Sequence, residues 1–166
     1  MSFTDREFRN ALGRFATGVT LVTAEVEGQL LGATVSSFNS VSLSPPLILF
    51  SLSRTAKGFP LWRQATHFGV TVLGHDQHDL SDRFARGGVD KWAGIVPKRG
   101  IAGVPLIEGG IACFECVTHA FHDGGDHEIV IGRVLDFSVG DADPLLFHGG
   151  RYRHLRELET TLLGGG

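Results

Sequence analysis

The chain alternates short apolar segments with turn-forming residues, and its first segment has a helical period. Four apolar residues recur there at positions i, i+3, i+4 and i+7: Phe8, Ala11, Leu12 and Phe15. The residues just before them, 4–7, have the Ser/Thr-x-x-Glu form of a capping box. We therefore predict a short amphipathic helix at the start of the chain.

Most later apolar segments are short and rich in β-branched residues, which is typical of strands. The segments 18–24 and 31–36 flank Glu27 and Gly28 and predict a hairpin. The continuous apolar run of residues 47–53 indicates a strand that is buried on both faces. Further strands are predicted at 68–73, 111–121, 127–139, 144–147 and 152–155, and helices at 56–65 and 76–86.

The balance of these elements favours β structure. About seven strands with two or three helices predict a mainly antiparallel β-barrel with peripheral helices. Glycine accounts for 23 of the 166 residues without a fixed period, which fits tight turns or a backbone that passes close to a ligand. The glycine-rich stretch 87–110 is predicted to be a loop.

The charge balance excludes several classes of partner. Fifteen Lys and Arg against eighteen Asp and Glu give a net charge of −3, without the concentrated positive charge that nucleic-acid binding needs. The first residues lack the apolar block of a signal peptide. Serines and prolines interrupt the uncharged stretch 28–53 too often for a membrane helix. We predict a cytoplasmic protein with no nucleic-acid and no membrane partner.

The two cysteines, Cys113 and Cys116, lie in a predicted strand. Side chains three residues apart on a strand point to opposite faces, so these sulfurs do not pair easily. The sequence has no second Cys or His pair at zinc-finger spacing. We predict two half-buried thiols in a reducing compartment, and no metal site.

Familiar catalytic motifs are missing from the sequence. It contains neither the Gly-x-Gly-x-x-Gly motif of dinucleotide-binding folds nor a P-loop, and neither a serine-hydrolase elbow nor a zinc-protease helix motif. The most informative segment is residues 32–47, where small hydroxyl residues are dense between two apolar strands. Such a segment suits a backbone that approaches a flat polar ligand, although composition alone slightly favours a serine-rich turn.

Together with its neighbours, this segment resembles the signature of the short-chain flavin reductase family, whose fold is an FMN-binding split β-barrel. The resemblance includes residues 18–23 and 53–57 on either side of it. It continues through 68–73, 82–85, 90–92, 125–134, 144–147 and 150–152, which is nearly the whole chain. It implies a mainly β, Greek-key antiparallel split barrel over residues 1–158, followed by a Gly-rich tail at 159–166.

The resemblance also implies where a flavin binds. The isoalloxazine ring is expected along the serine-rich strand and turn, at Thr34, Val35, Ser36, Ser37 and Asn39. The ribityl and phosphate part is expected at Ser53, Arg54, Thr55 and Lys57, because a guanidinium and hydroxyls suit a phosphate. Arg83 and Phe84 match a second flavin-contacting stretch.

The motif Gly125-Asp126-His127 implies a site for a pyridine nucleotide. A lone histidine at a strand start is more often structural than catalytic, but in reductases of this family the histidine lies where nicotinamide stacks on the flavin. His127 is therefore expected at the catalytic centre, holding the nicotinamide or tuning the flavin rather than shuttling a proton. Asp126 is expected to orient the imidazole, although a turn-forming role fits equally well. Gly18 and Tyr152 are further candidates for the nicotinamide site.

The implied reaction is hydride transfer from NADH or NADPH to FMN or FAD, with release of reduced flavin to a flavin-dependent monooxygenase. In this fold the second subunit completes the flavin cleft, so a homodimer is expected. Four alternatives stay open: a ferric or chelate reductase that retains its flavin, a non-catalytic or oxygen-scavenging flavin-binding protein, a pyridoxamine-phosphate oxidase relative, and a haem or corrin-ring reductase. The Gly125-Asp126-His127 motif favours the reductase branch over the second and third of these.

Overall fold

A seven-stranded antiparallel sheet forms the centre of the fold, with short helices and two small sheets around it. The computed structural model describes residues 2–156, so the predicted tail at 159–166 lies outside the described residues. The helices are α1 (Asp5–Leu12), α2 (Phe59–Trp62) and α3 (His78–Ala85), and Ile101–Gly103 forms a 3₁₀ turn. Within the described part of the chain, no helix is both long and apolar enough to cross a membrane.

Most strands follow the predicted segments, but the stretch 87–110, which was predicted to be a loop, contains two short strands, Lys98–Arg99 and Pro105–Leu106, and the 3₁₀ turn. They are β1 (Thr17–Gly18), β2 (Thr20–Val26), β3 (Gln29–Val35), β4 (Asn39–Leu43), β5 (Pro46–Ser53), β6 (His67–Val72), β7 (Lys98–Arg99), β8 (Pro105–Leu106), β9 (Ala112–Gly124), β10 (His127–Val139), β11 (Leu146–His148) and β12 (Arg151–Arg153). The main sheet has the order β3-β2-β6-β9-β10-β5-β4, and the small sheets are β1-β11-β12 and β7-β8. The predicted hairpin of β2 with β3 is confirmed, and β9 and β10 form a second, longer hairpin.

The connection between β3 and β4 shows how the sheet closes. These strands lie at opposite edges of the main sheet, yet only residues 36–38 link them. Three linking residues span only about 10–14 Å, so the two edges must meet and the sheet must curl into a barrel. Where β5 extends past the end of β4, no backbone hydrogen-bond ladder joins it to β3. There the Ser51 amide of β5 donates to Oγ of Ser37 instead, at 2.9 Å. The predicted split barrel is confirmed.

Two groups of apolar side chains hold the fold together. Inside the barrel, the Phe50 ring packs edge-on against the rings of Phe68 and Trp62, with centroids 5.2 and 6.2 Å apart. A second cluster joins the start of β2 to α3, where Leu21 and Phe84 are fully buried. Burial of each such side chain stabilises the fold by roughly 1.5–3 kcal/mol.

The predicted N-terminal helix forms, but its apolar face is not covered. The capping box is confirmed, since the Glu7 amide donates to Thr4 Oγ1 at 3.3 Å and the Thr4 amide donates to Glu7 Oε2 at 2.8 Å. Nevertheless α1 contains no buried residue, and Phe8, Leu12 and Phe15 are all exposed. Within the described chain the Phe3 ring packs on Phe8, with centroids 5.6 Å apart, but it leaves most of this face exposed.

Two local predictions were wrong in detail. Strand β5 is not buried on both faces: Ile48, Phe50 and Leu52 are buried, and the residues that alternate with them are only half-buried. The helix predicted at 56–65 is reduced to the four residues of α2, because Gly58 precedes it without a side-chain cap and residues 54–58 form turns. Both departures open space beside the end of β5.

A buried carboxylate organises the end of the barrel next to that space. Glu128 is 4% exposed, and its Oε1 lies 3.3 Å from Nη1 of Arg63 and 3.7 Å from Nη1 of Arg54. Breaking a buried pair of this kind leaves an uncompensated charge. Glu128 therefore fixes the turn after β5 relative to the residue that ends α2.

Candidate functional site

A cleft of two adjoining cavities lies at the split of the barrel. The serine cavity, about 470 Å³, is lined by residues 33–37 and 51–53 together with Ala56, Phe84, Ala85, Lys91 and His127. The tryptophan cavity, also about 470 Å³, is lined by residues 30–33, 56–58 and 87–92 together with Leu52, Trp62 and Ala85. The cavities share Ala33, Leu52, Ala56, Ala85 and Lys91.

The wall of the serine cavity carries closely spaced hydroxyl groups. Ser37 Oγ accepts from the Ser51 amide, and Thr34 Oγ1 donates to the Ser81 carbonyl at 2.6 Å. Ser53 Oγ lies 2.9 Å from Thr55 Oγ1. Short side chains let a flat ligand approach the backbone, while their hydroxyls offer both donors and acceptors. The serine-rich segment is therefore a cavity wall and not only a turn.

His127 stands at the edge of this cavity, at the first position of β10. Its Nδ1 lies 2.7 Å from Oδ1 of Asp126, and the imidazole is 45% exposed. The hydrogen bond and charge of His127 lower the pKa of the Asp126 carboxyl. The cross-strand neighbour of His127 on β5 is Ser53, which places the histidine beside the predicted ribityl and phosphate region.

Lys91 is the one charged residue that lines both cavities. Its Nζ donates to the carbonyl of Phe84 at 2.7 Å and to the carbonyl of Gly32 at 3.0 Å. Among the described residues, no carboxylate lies within ion-pair distance of it. Burial lowers the pKa of Lys91 because it removes water from the ammonium group.

Phe84 lines the serine cavity and packs against Trp92, which lines the tryptophan cavity. Its ring is fully buried and meets the Trp92 ring edge-on, with centroids 5.1 Å apart. A Cβ atom on Gly32 would overlap the Phe84 ring, so this strand position accepts only glycine without movement of α3. Gly32 therefore lets α3 pack closely against β3, and it also lines the tryptophan cavity.

The two arginines that were predicted to contact the flavin form their hydrogen bonds outside the two cavities of the described chain. Arg54 donates through Nε to the Gly125 carbonyl at 3.0 Å and through Nη2 to Asp123 Oδ1 at 3.2 Å. Arg83 donates to the Ala93 carbonyl at 3.0 Å and lines a different depression. Neither guanidinium lines the serine or tryptophan cavity, whereas Lys57 lines the tryptophan cavity.

Five other predicted site residues also lie outside the linings of the two cavities, one of them Asp126, which is hydrogen-bonded to His127. Asn39 pairs with Leu49 in the sheet, and Thr55 touches the cleft only through Ser53. Gly18 is in β1 and faces open space. Tyr152 packs under α3, with its hydroxyl donating to Asp82 Oδ1 at 2.6 Å. The structure brings together Thr34, Val35, Ser36, Ser37, Ser53, Lys57, Phe84 and His127 in the cleft.

Several cleft residues were not identified from the sequence. Lys91 and Trp92 belong to a matched motif, but a lysine in a loop is usually a solvated charge and gives no sign of burial. Ser51 lies within an apolar run that predicted a fully buried strand. Its alternation with Phe50 and Leu52 was the one available signal that it faces the cleft. Within residues 2–156, no group of three or more His, Cys, Asp or Glu side chains could hold a metal ion.

A split antiparallel barrel with a hydroxyl-rich cleft defines a class of small β-barrel proteins that bind a planar polar ligand at the barrel wall. The chain belongs to the flavin reductase like domain family, whose model matches residues 12–156. It is 48% identical over 147 residues to FMN reductase (NADH) SmoA of Agrobacterium fabrum, covering 89% of this chain and 84% of that protein.

Other relatives agree with this family membership. The reductase subunit HsaB of a flavin-dependent monooxygenase from Rhodococcus jostii is 38% identical, covering 93% of this chain and 80% of that protein. The structure of Streptomyces globisporus NADH:FAD oxidoreductase SgcE6, in complex with NAD and FAD fragments, superposes with a TM-score of 0.86 at 37% identity. That match covers 92% of this chain and 93% of the other.

Proposed function

We propose that the protein is an NADH-dependent flavin reductase, the reductase component of a two-component flavin-dependent monooxygenase. The observation that carries the proposal is the joined cleft, where a hydroxyl-rich wall, His127 and Lys91 surround space for a flat, anionic ligand. The names of the relatives, FMN reductase (NADH) and monooxygenase reductase subunit, support the same activity. The reaction is NADH + flavin + H⁺ → NAD⁺ + reduced flavin.

The donor set of the cleft fits a flavin. The two cavities together are large enough for a nucleotide-sized ligand, and their wall presents the hydroxyls of Thr34, Ser36 and Ser37. When bound, the flavin supplies the acceptor for a hydride from the nicotinamide. We propose that the residues of the resemblance that line the cleft contact the flavin: Thr34, Val35, Ser36, Ser37, Ser53, Lys57 and Phe84.

The protein's own contribution is positioning. Hydride transfer needs two rings held face to face at a short distance, and holding them there removes an entropic barrier. The Ser37 hydroxyl and the Phe84 ring are fixed by their own contacts, to Ser51 and Trp92 respectively. His127 is held by Asp126 at the open edge, where a second ring can enter. We propose that His127 contacts the nicotinamide there.

We propose that the protein acts as a homodimer. Several large apolar side chains are exposed in the described chain, with Leu43 96% and Phe137 63% exposed. These two residues line an apolar groove of about 440 Å³ formed by β4, β5 and β10. A monomer rarely exposes a contiguous apolar patch of this kind. We propose that a second copy of the chain covers it, as the resemblance to the split-barrel family implies. Asn39, Gly18 and Tyr152 are proposed to act with that copy.

We also propose a cytoplasmic location and one domain over residues 1–158. Both cysteines are free thiols, and the strand places Cys116 in the core with Cys113 on the other face. Free thiols fit a reducing compartment that holds NADH. The family match over residues 12–156 supports a single domain.

The test is to mix the purified protein with NADH or NADPH and with FMN, FAD or riboflavin, and to follow the nicotinamide absorbance. We expect NADH oxidation that depends on added flavin. No oxidation with any pair would contradict the proposal. Gel filtration during turnover separates a reductase that releases its flavin from a ferric or chelate reductase that keeps it.

A further inference from the structure

The turn that leads into His127 is held by a residue from another part of the chain. Strands β9 and β10 are joined through Gly125 and Asp126, and Gly125 has a positive φ of 78°. The tip of a long hairpin is ordinarily one of the first parts of a sheet to open. Here Arg54, which follows the last residue of β5, donates its backbone amide to the Asp126 carbonyl at 3.0 Å.

The Arg54 side chain adds a second set of bonds to the same turn. Its Nε donates to the Gly125 carbonyl at 3.0 Å, and its Nη2 donates to Asp123 Oδ1 at 3.2 Å. Asp123 Oδ1 also accepts from the Gly125 amide, at 2.8 Å. A guanidinium offers such neighbouring donors in one plane. Both polar groups of the Gly125 backbone are therefore held by Arg54, one directly and the other through Asp123.

The guanidinium is itself held from the side of the barrel. The buried Glu128 places Oε1 3.7 Å from Nη1 of Arg54, and Cζ of Arg54 lies 5.9 Å from the centroid of the Phe59 ring. These contacts limit the rotamers of a long side chain before any ligand arrives. Arg54 thus contacts both chain neighbours of His127, which are Asp126 and Glu128.

We propose that Arg54 is a positioning residue, which holds the turn that sets the His127 imidazole at the edge of the cleft. The inference rests on the proposed function, in which His127 contacts the nicotinamide. Asp126 holds the imidazole through Nδ1, at 2.7 Å, and Arg54 fixes the backbone that carries Asp126. This role differs from the phosphate contact that the resemblance implies for Arg54. Because small displacements of a positioning group are costly, loss of the Arg54 side chain should affect NADH and not the flavin.

The test measures KM for NADH by nicotinamide absorbance at saturating flavin. We expect Arg54→Met to raise KM about 5-fold, less than His127→Ala does, because the backbone bond to Asp126 remains. Arg54→Lys keeps a positive charge opposite Glu128, which protects the fold if Arg54→Met is unstable. A lysine cannot reproduce the two bonds of the planar guanidinium, so KM should still rise at least about 3-fold in Arg54→Lys.

Arg63→Met is the matched control. Arg63 Nη1 lies 3.3 Å from the same Glu128 oxygen, but its guanidinium lies over the Phe121 ring of β9 and not on the turn. Arg63→Met should lower stability, because Glu128 loses a partner in the barrel. It should leave KM for NADH within about 2-fold of the wild type. An equal rise of KM in Arg63→Met and Arg54→Met would reduce Arg54 to a structural role and overturn the inference.

A double-mutant cycle shows whether Arg54 acts through His127. In the His127→Ala background, Arg54→Met should change KM for NADH by less than about 2-fold, because the group that Arg54 positions is already absent. A purely structural role would change KM by the same factor in both backgrounds. That result, or no effect of His127→Ala by itself, would overturn the inference.

Titrations with FMN and riboflavin separate this role from a phosphate contact. Flavin fluorescence should give affinities for both ligands within about 2-fold of the wild type in Arg54→Met. A loss for FMN alone would make Arg54 a phosphate ligand and overturn the inference, as would an unchanged KM for NADH. In each of these cases the wild type still oxidises NADH and the proposed function stands. If the wild type oxidises no NADH with any flavin, the proposed function fails with the inference.

Discussion

The Nδ1 atom of His127 lies 2.7 Å from Oδ1 of Asp126, its neighbour in the chain, at the open edge of the cleft. Because Asp126, which lies outside the cavity, holds the imidazole through Nδ1, the imidazole ring can face a nicotinamide ring inside the cavity. We expect His127→Ala to raise KM for NADH about tenfold, a cost of about 1.4 kcal/mol, with little change in flavin affinity. Steady-state kinetics and flavin titration measure the two effects separately.

The contact between His127 and Asp126 can also be tested without an activity assay, through the pKa of Asp126. The hydrogen bond from His127 lowers the pKa of Asp126 below its usual 3.8, so the pair favours the folded state above that pH and loses its effect as pH falls. In His127→Ala, NMR titration should find the Asp126 pKa moved upward. If His127→Ala changes neither the KM for NADH nor the pKa of Asp126, the proposed role of His127 and Asp126 at the nicotinamide site is contradicted.

Gly32 and Phe84 give a prediction about stability. A methyl group at Gly32 would overlap the fully buried Phe84 ring, so Gly32→Ala should lower the free energy of unfolding by about 1–3 kcal/mol. Gly18 is the matched strand glycine, with no atom within 4 Å of an added Cβ. Gly18→Ala should change stability by less than about 1 kcal/mol. Urea unfolding of both variants checks the contrast, and equal midpoints would refute the packing argument.

Tyr152 predicts a dependence of stability on alkaline pH. Burial, followed by the hydrogen bond to Asp82, raises the pKa of this hydroxyl above 10.0. Its contribution to stability is therefore complete below pH 10.0 and is lost as pH rises through the pKa of the folded state. Tyr152→Phe should lose about 1 kcal/mol at neutral pH and show a shallower alkaline decline.

The measurement for Tyr152 is direct, because the chain has a single tyrosine and its ionisation can be followed by absorbance. Some alkaline decline should remain in Tyr152→Phe, since burial raises the pKa of Cys116 to about 12 and acts in the same direction. A tyrosine that ionises at its ordinary pKa in the native protein would contradict the prediction.

Leu43 tests the proposed homodimer. It is 96% exposed in the described chain and lines the groove between β4 and β10. Leu43→Lys should shift the protein toward monomer in analytical ultracentrifugation, because a charge placed in an apolar interface is costly. Val96→Lys is the control, since Val96 is 92% exposed but lies in the loop between α3 and β7. If the wild-type protein sediments as a monomer, the proposed homodimer is contradicted.

Local signals account for what the sequence could predict. The capping box marked the start of α1 through residues three apart. The pair Glu27-Gly28 between two strand segments predicted the hairpin turn, where both residues adopt positive φ. The destinations of long side chains could not be predicted in this way. Arg54 meets Asp123 and Gly125, about seventy positions away in the chain, so its removal from the cleft depends on tertiary packing.

Lys91 illustrates the same limit. Its partners, Gly32 and Phe84, come from β3 and α3, and nothing in the loop sequence marks their approach. The close approach of the Phe84 ring to Gly32 was equally hidden in the sequence, although glycine in a strand often marks a close contact. The sequence therefore points to residues 33–37 of the cleft lining, because they are continuous in the chain, and it misses Ser51, Lys91 and Trp92, which come from other elements.

The bond between Ser51 and Ser37 has one more consequence. At the split of the barrel, the Ser51 amide is held by a side-chain hydroxyl and not by a neighbouring strand. Its hydrogen can therefore exchange with solvent through rotation of one side chain, without separation of two strands. Since both serines line the ligand cavity, this single amide is a natural isotope-exchange reporter of occupancy, readable while the rest of the barrel stays closed.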